Sequence, residues 1–88
     1  MNTEIYELTP TNGRKSFYGK AKVIIQNGCR FLKSYDTIMC SVKDGIVHRY
    51  SDYKSNTTCS HLKSFLGEKY KGFWDIGLEV KPVIKITL

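Results

Sequence analysis

Three cysteines and two histidines are the side chains in this 88-residue chain best suited to covalent or metal chemistry, and their spacing decides what they can do. Cys59-Ser60-His61 sets a thiol close to an imidazole. On a helix, however, residues two apart point about 200° from one another, so the two cannot work as nucleophile and base. Cys40, His48, Cys59 and His61 lack the paired spacing of a zinc site. Asp36, Asp44, Asp52 and Asp75 are scattered over turn-like stretches, where aspartate serves local backbone hydrogen bonding, and no two acids converge. Gly13, Gly19 and Gly28 fall in turns or within a strand, not between a strand and a helix, so neither a phosphate loop nor a dinucleotide fingerprint is present. A non-catalytic protein with no metal and no cofactor is therefore expected.

What remains is charge interleaved with aromatic rings. Arg14, Lys15, Lys20, Lys22 and Lys33 accompany Tyr18, Phe31 and Tyr35, the pairing expected where bases stack and phosphates are neutralised. A second group, Arg49, Tyr50, Tyr53 and Lys54, precedes the helical stretch. Against these stands the ordinary use of Lys and Tyr on the wet face of an antiparallel sheet and in solvated loops. Fourteen Lys and Arg against eight Asp and Glu give a net charge of +6. Such a balance favours nucleic acid, acidic protein surfaces or anionic lipid, and it excludes a carboxylate-presenting mimic of DNA.

The elements that position these residues are read from turn chemistry. Asn27-Gly28 joins two apolar-alternating runs between Ser16 and Asp36, the strongest short signal for a two-residue type I′ hairpin. Opposite residues then sum to 55. Ile25 faces Arg30, Val23 faces Leu32 and Ala21 faces Ser34 on one side, while Ile24–Phe31, Lys22–Lys33 and Lys20–Tyr35 occupy the other, with Tyr18 beyond. Two lysines directly opposite each other repel, and a face that tolerates this beside aromatics suits an anion. Asp44-Gly45 repeats the turn, pairing Val42 with Val47 and Ser41 with His48, and Asp36-Thr37 supplies the bend between the hairpins. A weaker strand is expected over Ile5 to Leu8, followed by an exposed loop from Thr9 to Lys15.

Past Asn56 the period changes. Thr57 or Thr58 caps a helix to about Tyr70 whose stripe is Cys59, Leu62, Leu66 and Tyr70, with Phe65 widening it, Gly67 weakening it and Lys71-Gly72 stopping it. Phe73 and Trp74 join Leu62 and Leu66 in the core. Leu78, Val80, Val83, Ile84, Ile86 and Leu88 form a closing strand in which Pro82 marks an edge or bulge. The fold class is α+β: one small domain over residues 1–88, an antiparallel sheet of four to five strands in a hairpin-rich meander, and one helix packed on one face. The exposed face is expected to carry Tyr18, Lys20, Lys22, Lys33 and Tyr35. An odd, widely spaced set of cysteines without an export signal points to a reducing cytoplasm, where the thiols serve as small apolar residues. No apolar run reaches the roughly 18–20 residues of a membrane span. Asn56-Thr57-Thr58 fits a glycosylation acceptor, which is empty without secretion.

Asn12-Gly13-Arg14-Lys15-Ser16-Phe17-Tyr18-Gly19-Lys20-Ala21, Leu32-Lys33-Ser34-Tyr35-Asp36-Thr37, Tyr53-Lys54-Ser55-Asn56-Thr57-Thr58 and His61-Leu62-Lys63-Ser64-Phe65-Leu66 together resemble a family of small bacteriophage and mobile-element proteins of Gram-positive bacteria. The resemblance covers about residues 5–66 and brings no catalytic residue or cofactor. Ser60 stands where that pattern has a basic residue, so no anion contact is carried over there. What the resemblance implies is an accessory protein in the bacterial cytoplasm that binds a host protein or ribonucleoprotein complex, such as a CRISPR-type defence effector. A stand-alone DNA- or RNA-binding module is the other expectation, and dimerisation would add stability to so small a core.

Overall fold

The computed structural model describes residues 3–10, 17 and 19–80. Five strands, β1 (Glu4–Glu7), β2 (Ala21–Gln26), β3 (Cys29–Ser34), β4 (Thr37–Lys43) and β5 (Ile46–Arg49), pair in sequence order as one antiparallel sheet. The first tight turn holds Asn27 and Gly28 at φ 55° and 77°, and the second holds Asp44 and Gly45 at 53° and 79°. These are the left-handed values that type I′ turns require. The registers follow from them: Val23 opposes Leu32, Lys22 opposes Lys33, and Val42 opposes Val47.

The middle connection differs from the expected Asp36-Thr37 bend. Ser34 pairs with Thr37, so Tyr35 and Asp36 make the turn, with Tyr35 itself at φ 55°. Between Leu32 and Lys33 the register then slips, Leu32 pairing with Cys40 but Lys33 with Ile38, which leaves Met39 as the extra residue of a bulge. Met39 and Cys40 are both fully buried in the core. A bulge adds one residue on one strand and sharpens the local twist, here without loss of apolar packing.

Helix α1 runs Asn56–Leu66 and is capped by Ser55, whose Oγ accepts the Thr58 amide at 3.1 Å; neither Thr57 nor Thr58 is the cap. It ends four residues before Tyr70, because Gly67 at φ 61°, ψ −127° takes a conformation closed to other residues. The chain continues as a 3-10 segment over Gly67–Asp75 instead of stopping at Lys71-Gly72. Leu62 and Leu66 from α1 and Phe73 from the 3-10 segment close over Leu32, Met39, Cys40 and Val42, with Trp74 half-buried at the border. Burying a Leu side chain in such a core contributes about 1.5–3 kcal/mol. Of the expected closing strand, Leu78 makes one parallel bridge to Arg49, Val80 lies in no strand and is 93% exposed, and Val83, Ile84, Ile86 and Leu88, with Pro82, lie outside the described residues.

Candidate functional site

Pairing across all five strands puts Ile5, Ile24, Phe31, Ser41 and His48 in one row on the face turned away from α1. That row is closed at its centre. Tyr50 lays its ring 6.5 Å from Phe31 at 26° and shares a 2.7 Å hydrogen bond with Ser41, and Ile24, Phe31 and Ser41 are all buried. The next row holds Glu7, Lys22, Lys33 and Ile38, so the opposed lysines have a carboxylate beside them on β1, and both are half-buried. Of the basic and aromatic face expected from the hairpin, the described residues keep Lys22 opposite Lys33, while Phe31 in the neighbouring row is buried. Arg14, Lys15 and Tyr18 lie outside the described residues.

The left-handed backbone of Tyr35 takes its side chain off the strand alternation and toward His61 of α1. The Tyr35 ring lies 5.8 Å from the His61 ring, and Lys20 Nζ lies 5.9 Å from the Tyr35 ring centre. Phe17 meets His61 from another direction, edge-on at 4.6 Å. Beneath them Ser34 Oγ sits 2.8 Å from His61 Nδ1 and 3.3 Å from Thr58 Oγ1, all three residues being buried. The hydroxyls and the imidazole thus pin α1 to the end of β3.

The group Arg49, Tyr50, Tyr53 and Lys54 also disperses. Arg49 Nε donates to the Ile76 carbonyl at 2.6 Å, and its guanidinium lies 5.9 Å from the Phe73 ring and 5.8 Å from Trp74, so its charge serves to clamp the 3-10 segment to β5. Lys54 Nζ stands 5.0 Å from the Trp74 ring. Tyr50 has crossed to the other face. Tyr53 stays in solvent, 56% exposed, and comes to the Tyr35 end of the molecule.

There Ser34, Tyr35, Asp36, Thr37 and Tyr53 line an open recess of about 280 Å³. Two of the twelve residues singled out by sequence, Tyr35 and Tyr53, meet in it although eighteen positions separate them. Sequence reasoning missed Asp36 and Thr37 as lining residues and the Ser34–Thr58–His61 contacts beneath. The bonded side chains are 24 and 27 positions apart, and no local pattern announces such a pair.

Elsewhere two buried or half-buried groups are shifted by their surroundings. Burial pushes the Cys40 thiol from its ordinary 9.0 up to about 12. Burial also raises the Tyr70 phenol, and the neighbouring Cys59 adds to the rise while the hydrogen bond from Trp74 opposes it. Among the described residues no group of three or more His, Cys, Asp or Glu side chains is arranged to hold a metal ion, and no helix is long and apolar enough to cross a membrane.

A family model matches residues 6–73, which take in every strand but the start of β1, all of α1 and most of the 3-10 segment. The chain belongs to DUF8033, a family of unknown function. Comparison with curated proteins and with solved structures gives no match. The matched region includes both tyrosines of the recess and the Ser34–Thr58–His61 contacts that support it.

Proposed function

We propose that this chain is a non-catalytic accessory protein of phage or mobile-element type that docks on a host protein or ribonucleoprotein complex, a nucleic-acid-guided defence effector being the partner class. It docks through the recess end of the sheet and not through a broad hairpin face. One observation carries the reading: Tyr35 and Tyr53, 45% and 56% exposed, flank a single recess over a buried, hydrogen-bonded floor. Aromatic side chains held over a rigid base, with little entropy left to lose, are the usual anchors of an interface. Ser34 and His61 are in contact as a nucleophile and a base would be, but Ser34 is 2% exposed and its hydroxyl is shared with Thr58, which supports a structural role. The phage context and the choice of partner class rest on the sequence resemblance.

The test is affinity capture from bacterial host cells, with and without nuclease, comparing the wild-type chain with Tyr35→Asn and Tyr53→Ala combined. Asn accepts the left-handed backbone at position 35, so the turn is kept. Capture of a discrete complex should survive nuclease and fall at least about tenfold in the double variant, in line with the loss of interface anchors. Capture that disappears with nuclease, with a salt slope near −3 to −4 in log K for about four phosphates, would instead identify a nucleic-acid-binding module. Undiminished capture by the double variant refutes the docking site.

A further inference from the structure

Among the described residues the lining of the recess is opposite in charge to the chain: it consists of Ser34, Tyr35, Asp36, Thr37 and Tyr53, one acid and no lysine or arginine, in a protein whose net charge is +6. A phosphate entering it would meet one anion and two electron-rich ring faces. A cation would meet a carboxylate for its charge and aromatic walls for its body, the combination by which aromatic sites recognise cationic groups. Lys20 Nζ sits 5.9 Å from the Tyr35 ring and is not among the described lining residues, so a second positive group on that ring needs a compensating acid, which Asp36 supplies.

Size and shape narrow the occupant further. At about 280 Å³ the recess stands at the small end of the range of roughly 300–1,000 Å³ for ligand pockets. One side chain fits that scale. A guanidinium is flat, weakly hydrated and able to stack on phenol faces while its edge donates to a carboxylate; an ammonium is a compact, strongly hydrated point charge that does neither as well.

We infer that the recess formed by Tyr35, Tyr53 and Asp36 is an arginine-receiving site, taking the guanidinium of a basic residue displayed by a protein partner. The inference rests on the docking reading above and specifies its chemistry. Asp36 accepts from the guanidinium edge, Tyr35 and Tyr53 cover its faces, and Thr37 adds a hydroxyl acceptor at the rim. The basic remainder of the surface then steers the whole chain toward an acidic neighbourhood of the partner in which this one arginine stands out.

Titration of the full chain with N-acetyl-arginine amide, followed by nuclear magnetic resonance, tests the assignment. The probe at millimolar concentration should move the resonances of Tyr35, Tyr53, Asp36 and Thr37, while adenosine monophosphate at equal concentration should leave them in place. Asp36→Asn, an exchange at an exposed turn position, should weaken the probe about 1.5- to fivefold, the range for a solvent-accessible ion pair. Tyr53→Ala should weaken it about two- to fivefold through the lost cation–π contact. The inference is overturned if the nucleotide moves these resonances and the arginine amide does not, if neither probe moves them, or if Asp36→Asn binds the amide as tightly as wild type. Should the amide fail while the double tyrosine variant still loses its captured partner, the docking site stands and the guanidinium assignment falls. Capture that is indifferent to the tyrosines removes the docking site itself.

Discussion

Raising the pH should destabilise this protein through a buried thiol. Cys40 is fully buried against Leu32, Met39 and Leu62 and releases its proton near 12, whereas the unfolded chain releases it near 9.0. Below pH 9 both states hold the proton and the thiol exerts no pH dependence. Between those two values the unfolded chain has lost a proton that the folded chain retains, so stability falls as pH rises, by about 1.4 kcal/mol for each pH step. From about pH 8 to about pH 11 the loss reaches about 3 kcal/mol, which in a domain of this size lowers Tm by on the order of 10–20 °C. Thermal unfolding followed by far-ultraviolet circular dichroism, in reductant, gives the wild-type curve against pH. Cys40→Ala provides the control: it lowers Tm at neutral pH by leaving a small void, yet it lacks the titrating thiol, so its curve should descend less steeply and the gap should close above pH 9. Two curves that run parallel to pH 11 would show that the thiol is not held neutral by the core, and the reasoning would fail.

Two further expectations concern the helix. Ser55→Ala should cost about 1 kcal/mol and about 4–8 °C in Tm, because the Thr58 amide loses its acceptor, while Thr57→Ala should stay within about 0.5 kcal/mol; the reverse order by thermal melting would place the cap elsewhere. Gly67→Ala should destabilise by about 1–3 kcal/mol from backbone conformation alone, since an added Cβ meets nothing within 4 Å. Gly72→Ala, equally unobstructed but without a positive φ, should be neutral or stabilising by up to about 1 kcal/mol, and equal denaturation midpoints for the two variants would contradict that account.

Much of the sheet was legible because its turns are. Asn27-Gly28 and Asp44-Gly45 each require two left-handed residues, few residue types supply them, and a two-residue turn leaves one register. The link between β3 and β4 gave no such notice. Tyr35 adopts the same left-handed backbone as Asn27, but an aromatic residue advertises nothing of the kind, and the slip at Met39 has no marker in a run as uniform as Thr37-Ile38-Met39-Cys40. The first of these irregularities changed the neighbours of Tyr35. Strand alternation carried through Tyr35 puts its ring beside Lys22 and Lys33, whereas the turn sends it to His61 and the recess. The helix cap was misplaced for a different reason: Ser55, Thr57 and Thr58 can all accept an amide proton, and only the geometry of the entering chain, with Ser55 at φ −140°, selects among them. Arg49 shows the limit of composition as evidence, since a basic residue beside tyrosines suggests a ligand and here grips two core aromatics.

An open sheet invites growth at its margins, and on the β5 side this chain answers the invitation with its own backbone. Leu78 runs parallel to Arg49, the Glu79 amide donates to the Arg49 carbonyl at 2.8 Å, and the Glu79 carboxylate lies 2.7 Å from His48 Nδ1. One strand-like step thus occupies the place where a foreign strand would begin to zip on, and it leaves a carboxylate at the threshold. The result is a margin at β5 that resists strand-on-strand stacking through its own backbone and one acidic side chain.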